Sequence, residues 1–399
     1  MRPCSIVTGL ALSVAALSAQ SGKQFVRPPA GQTPPYSLAI KAGGVIYTAG
    51  QLPTDASGNV VSGDITAQAK QVFANLRGVL QQAGSSLDNA VSAIVMLQNA
   101  SDFAALDQVY RDQFKGEPPA RTTFVGSMVR PGALLEIQIT AVPGGAERKV
   151  ILPPGWTKPT SPYNYAIQSG DTVWMSGLVS RSGANNTQVQ GDIAVQTKTI
   201  MDNAGAILKA AGMSYGDLVA GRVALRDMAN FQPMNDVYRT YWEKDRPARV
   251  SCQAAPPGTF DVEITFTAVK GSSPREVIIP ARADGTPGQA GPNFSPAIKV
   301  GNRLFISGGT GATAANATDM KAQTAETLTR FGPALKAAGF DYKDVVAADV
   351  FVTDVQKFNE MNDGYRPAFP TDPPVRATVG IGKLAGQTAL VEIMVTAVK

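Results

Sequence analysis

Val45-Ile-Tyr-Thr-Ala-Gly50, Val173-Trp-Met-Ser-Gly177 and Leu304-Phe-Ile-Ser-Gly308 are three versions of one segment, an extended apolar run stopped by glycine. What surrounds each version repeats as well. Helical stretches open at Gln68, Gln196 and Gln323 and close at Ala83-Gly84, Ala211-Gly212 and Ala338-Gly339. Phe103 and Tyr110, Phe231 and Tyr238, and Phe358 and Tyr365 then follow at identical spacing. Next come Pro119-Ala-Arg121, Pro247-Ala-Arg249 and Pro374-Val-Arg376. Leu135-Glu-Ile137, Val262-Glu-Ile264 and Val391-Glu-Ile393 close the copies. The three arginines stand 128 and 127 residues apart, the three glutamates 127 and 129. Chance does not keep so many residues in one order, so the chain is a tandem repeat.

The joins are rich in Pro and Gly: Val142-Pro-Gly-Gly145 and Lys270-Gly-Ser-Ser-Pro274. An extended run opens each copy, at Phe25-Val-Arg-Pro28, Val150-Ile-Leu-Pro153 and Val277-Ile-Ile-Pro280. The units therefore run 22–146, 147–273 and 274–399. In unit one, Ile65, Val72, Phe73, Leu76, Val79 and Leu80 recur at helical period, and Gly84 supplies a stop. Phe103, Leu106, Tyr110 and Phe114 predict a second helix, with Ser101-Asp102 as its cap. Ala93 to Leu97 reads as a buried strand. In the closing strand, Glu136, Gln138 and Thr140 share one face and Ile137 and Ile139 the other. Each unit is an α+β module, a mixed sheet with two helices on its apolar face. The more polar sheet face needs cover, and three such faces in one chain can cover each other.

Composition narrows the chemistry. The 399 residues are 17% charged and 44% hydrophobic, as in a soluble globular protein. The net charge of +5 is dispersed rather than clustered, which argues against a nucleic-acid partner. There is no histidine, which removes His-based triads and His metal sites. Cys4 and Cys252 are the only cysteines, too few for a four-Cys zinc site, and Cys252 has no His to activate it. Arg2 followed by the apolar stretch Ser5 to Ala19 reads as a signal peptide over 1–21, which predicts a periplasmic or secreted protein with no membrane span.

The ordered set is similar to the pattern of the Rid family (YjgF-type, reactive intermediate deaminases). It comprises Pro35-Tyr36, a Ser-Gly after a strand, Phe-x-x-x-Asn-x-x-Tyr on a helix, Pro-Ala-Arg, and Glu-Ile before the end. The match covers almost all of the chain beyond the leader, three times over. The resemblance implies a chorismate-mutase-like fold, normally a homotrimer with sites between subunits, and here a monomeric intramolecular pseudo-trimer. It implies hydrolysis of small 2-imino or 2-enamino acids to 2-keto acids and ammonia, with no cofactor and no metal. The alternative is a module that binds a small carboxylate without turning it over.

Carried over unit by unit, Glu136, Glu263 and Glu392 with Tyr36 and Tyr163 are the catalytic candidates. Arg121, Arg249 and Arg376 grip the substrate carboxylate through paired hydrogen bonds, helped by Asn235 and Asn362. Ser176, Ser307, Gly50, Gly177 and Gly308 are read as donors to its second oxygen. Whether burial or the nearby Arg governs the Glu pKa is open at this level. Phe103, Phe231 and Phe358 read as core.

Three positions depart from the pattern: Ala49 for serine, Asp107 for asparagine and Phe294 for tyrosine. In the family, Asn and Arg come from one subunit, and Tyr, Ser and Glu from its neighbour. One ring direction sets Asn362 and Arg376 against unit two and yields a single full cleft. The other sets Asp107 against unit two, leaves no cleft complete, and favours the binding alternative. The first direction makes Arg376→Ala far more damaging than Arg121→Ala.

Overall fold

The computed structural model describes residues 22–29, 31–281 and 285–399. The stretch read as an export signal, 1–21, lies outside the described residues. In unit one, strands β1 (Gln24–Val26), β2 (Ala39–Ala42) and β3 (Val45–Thr48) meander antiparallel. Helix α1 (Ile65–Gln82) then leads to β4 (Ala90–Leu97), α2 (Phe103–Arg111), β5 (Ala120–Val125), the short β6 (Ser127–Met128) and β7 (Leu135–Ala141). The sheet order is β1-β2-β3-β7-β4-β5, and only β4 and β5 pair in parallel, with α2 in the crossover between them. Units two and three repeat this order.

The Asp64 carboxylate caps α1 by accepting the Ala67 N–H at 3.0 Å, which satisfies one orphan donor of the first turn. The apolar face of α1 then packs Val72, Phe73, Leu76 and Leu80 against Ile137 and Ile139 of β7. Gly84, at φ +76°, ends it in the left-handed region. The expected Ser101-Asp102 cap is not made. A short turn, Ala100–Asp102, precedes α2, and the Asp102 carboxylate accepts from the Asn99 amide instead.

The polar sheet faces cover each other, as their composition requires. One apolar cluster joins Met96 and Phe124 of unit one to Val250 and Cys252 of unit two and to Phe351 and Met394 of unit three. Two smaller clusters bridge neighbours: Ile40 with Val346, and Val45 with Trp174. Positions that would be identical in a homotrimer differ here. Arg222 of unit two donates to Asp349 of unit three at 2.8 Å, where unit one has Ile94. Three arginines there would repel one another; one chain with three different units replaces the repulsion by an ion pair. Among the described residues, no helix is long and apolar enough to cross a membrane.

Candidate functional site

Each unit meets both others through one recurring interface, and the same contacts fix the ring direction. The backbone N–H after each aromatic of the Pro-Tyr motif donates to the proline carbonyl of a neighbour's Pro-x-Arg. Ser37 donates to Pro374, Asn164 to Pro119 and Ser295 to Pro247, at 3.2–3.3 Å. Arg376 of unit three therefore faces Tyr36 of unit one, Arg121 faces Tyr163 of unit two, and Arg249 faces Phe294 of unit three. This is the second of the two directions allowed by the sequence. The pairing of Asn362 and Arg376 with unit two does not occur.

The arginines lie on strands at 5%, 2% and 3% exposure for Arg121, Arg249 and Arg376, so they are not surface ion-pairing residues. Each guanidinium carbon sits 4.7–4.8 Å from the ring of Tyr110, Tyr238 or Tyr365 on its own unit's second helix. Phe103, Phe231 and Phe358 lie 5.4–5.9 Å from the same carbons. These phenylalanines, expected in the core, pack against it while only partly buried, and Phe103 and Phe358 also wall the clefts. They stand four residues before Asp107, Asn235 and Asn362, on the same helix face, and that spacing was the available signal.

Ser176, Ser307, Gly50 and Gly177 do not face a ligand as donors. Ser176 accepts the Arg121 N–H at 2.8 Å and donates to the Asn164 carbonyl at 2.6 Å. Ser307 does the same between Arg249 and Ser295. The Gly50 and Gly177 N–H groups donate to the Arg376 and Arg121 carbonyls at 3.1 Å. These residues bind neighbouring units together. The glycines have a second reason: a Cβ on Gly50 would lie 1.7 Å from Glu136 Oε1, and one on Gly177 would lie 1.5 Å from Glu263 Oε1. Ala49 thus costs an inter-unit bridge and no ligand contact. Ala49→Ser should raise stability by about 1 kcal/mol and leave activity unchanged, read by thermal unfolding beside a rate assay.

The glutamates cross from one unit into the next. Glu263 accepts the Thr123 N–H, two residues past Arg121, at 3.3 Å, and Glu136 and Glu392 accept from Thr378 and Ser251 likewise. Their Oε2 atoms are buried and unpartnered. Burial outweighs the arginine and backbone donors, and pushes all three carboxyls up to about 8. They are protonated at neutral pH, so each Oε2 can donate. Among the described residues, no group of three or more His, Cys, Asp or Glu is placed to hold a metal ion. Cys252 is buried, and burial raises its thiol well above the ordinary range.

A sequence profile of the endoribonuclease L-PSP family matches residues 28–143, 156–270 and 287–399. The chain belongs to that family, in three copies. The RutC family protein of Pyrococcus abyssi is 40% identical over 108 residues, 27% of this chain and 85% of its own. The RutC family protein of Sulfurisphaera tokodaii is 40% identical over 111 residues, 28% and 89% of the two chains. Among solved structures, the Rid-family protein YyfA of Yersinia pestis is 34% identical and covers 30% of this chain and 99% of its own, with a TM-score of 0.29.

The three clefts of this Rid-type protein are unequal. In the unit three–unit one cleft, Arg376 Nη2 donates to Asn362 Oδ1 at 2.6 Å, so a neutral amide holds the guanidinium and leaves its charge unspent. Tyr36, Glu136, Asn362 and Arg376 share a cavity of 540 Å³ there. In the unit one–unit two cleft, Arg121 Nη1 sits 2.7 Å from Asp107 Oδ1, an ion pair by distance without hydrogen-bond alignment. Its cavity, with Tyr163 and Glu263, is 220 Å³. In the unit two–unit three cleft, the Arg249 guanidinium is buried with the Tyr238 hydroxyl as its nearby polar neighbour, and both amide atoms of Asn235 are buried without a hydrogen-bond partner. Aromatic rings surround that arginine, Phe294 among them at 5.6 Å.

Proposed function

We propose that the chain is a cofactor-free hydrolase that deaminates small 2-imino acids in the unit three–unit one cleft. The observation that carries this is an uncompensated Arg376 and a protonated Glu136 in one cavity. Arg376 takes the substrate carboxylate. Glu136 Oε2 gives its proton to the imine nitrogen, which makes the adjoining carbon electrophilic. Water adds to that carbon, and the carboxylate left on Glu136 accepts the water's proton. Proton transfer to nitrogen and loss of ammonia leave the 2-keto acid. Tyr36, half-buried and aimed across the Arg376 face, covers the substrate. Glu136 returns to its starting state, so no outside oxidant or reductant is needed. The family's name points to RNA cleavage; a buried arginine beside a buried glutamic acid in one cleft and the absence of histidine fit a small acid better. The apolar stretch Ser5 to Ala19 supports export, and we infer that this activity lies outside the cytoplasm.

Binding without turnover is the second reading. It is favoured by the ion-paired Arg121 and by Phe294, which leave two of the three clefts without a full set. To test the first, 2-iminopropanoate is generated beside the purified protein and keto-acid release is followed. The rate above the uncatalysed background should fall as pH rises through about 8, where Glu136 loses its proton. Glu136→Gln should abolish it, and Glu263→Gln should leave it. No acceleration over background leaves only the binding reading.

A further inference from the structure

The unit three–unit one cavity holds more positive charge than one carboxylate can use. Arg130 and Arg366 line it together with Arg376, and its one carboxyl, Glu136, is neutral. Arg130 is exposed, and among the described residues no hydrogen bond or ion pair holds its guanidinium. Arg366 is also exposed and spends one nitrogen on the Thr33 carbonyl, at 2.9 Å. Arg366 acts on Arg376, and Arg130 and Arg376 each act on Tyr36, which lines the same cavity. The 540 Å³ cavity falls within the roughly 300–1,000 Å³ that holds drug-sized ligands, well beyond a three-carbon acid. The unit one–unit two cleft shares the framework but is smaller; its second cation, Arg181, is held on the Asn186 carbonyl at 2.7 Å and over the Phe260 ring, and the bordering loop carries uncharged Pro257 and Gly258.

We propose that this cleft selects a 2-imino acid bearing a second acidic group, with Arg376 gripping the α-carboxylate and Arg130 receiving the distal one. This rests on the reading of the cleft as a carboxylate site. A dianion neutralises two of the three cations that line the cavity, whereas a monoanion leaves two unsatisfied. Arg130 is on the rim, where it can also draw a doubly charged ligand in by steering.

Product acids serve as stable probes in calorimetric titrations of the whole protein at low salt. Wild type should bind 2-oxoglutarate more tightly than pyruvate. Arg130→Ala should weaken 2-oxoglutarate by about five- to tenfold and pyruvate by less than about twofold, and the preference should shrink at high salt. Equal affinity for the two acids, or an equal loss of both in Arg130→Ala, overturns the dianion assignment and leaves the carboxylate site standing. If neither acid binds, or Arg376→Ala leaves pyruvate binding intact, the reading of the cleft itself fails, and the dianion assignment with it.

Discussion

Replacing Asp107 by asparagine is expected to raise the number of pyruvate sites per chain from one to two. The unit one–unit two cleft already holds Arg121, Tyr163 and Glu263 around a 220 Å³ cavity, enough for a small acid. What blocks it is one carboxylate 2.7 Å from the guanidinium. A ligand carboxylate about 5 Å from Asp107 meets a repulsion on the order of 3 kcal/mol at an effective dielectric near 20, about two decades in Kd. An amide at that position reproduces the Asn362–Arg376 arrangement, which the fold already tolerates. Calorimetric stoichiometry reads the outcome. The Asp107→Asn site should vanish again when Arg121→Met is added. In the parent chain Arg376→Met should remove the native site, a loss of about 1.5–3 kcal/mol, while Arg121→Met changes little. One site before and after Asp107→Asn would mean that the charge at residue 107 is not what closes the cleft.

This contrast between Arg376 and Arg121 also follows from the sequence, but through the wrong partners. Residue types alone matched unit two's Tyr163, Ser176 and Glu263 with Arg376; the ring gives Arg376 to Tyr36 and Glu136 instead. A repeat can close in either direction using the same motif residues, and no spacing in the chain distinguishes the two. The serine was misread for a related reason. A hydroxyl beside an arginine is a possible donor to a ligand, and only the positions of the Asn164 and Ser295 carbonyls show where its proton goes. Once Ser176 and Ser307 are seen as inter-unit bridges, Ala49 no longer counts against the unit three–unit one cleft.

Other parts were legible because the physics was local. Helical period, alternation in the closing strand and the glycine stop at Gly84 each involve a few neighbouring residues. The repeat amplified them threefold. The glutamate pKa was not legible, because burial and the nearby arginine act in opposite directions and their balance depends on distances. The structure decides for burial, since each carboxyl gains one backbone donor and leaves Oε2 bare.

That decision has a consequence for the whole chain. Glu136, Glu263 and Glu392 hold their protons up to about pH 8 when folded, against an ordinary value of 4.5. Between those pH values the folded chain binds up to three more protons than the unfolded one. Stability must then fall as pH rises: the contribution is fully present below about 4.5 and gone above about 8. Each carboxyl adds a slope of up to about 1.4 kcal/mol per pH unit. The signal should be clean, because the chain has no histidine to titrate in this range. Denaturant unfolding between pH 5.5 and 8.5 should therefore show a steep loss of stability, and each Glu→Gln replacement should remove about one third of the slope. A Gln carries no titrating proton but still fills the space and can donate from its amide, so packing is kept. Stability that is flat across this range in the parent chain would mean that the three carboxyls are ionised in the fold, and that the acid role given to Glu136 is wrong as well.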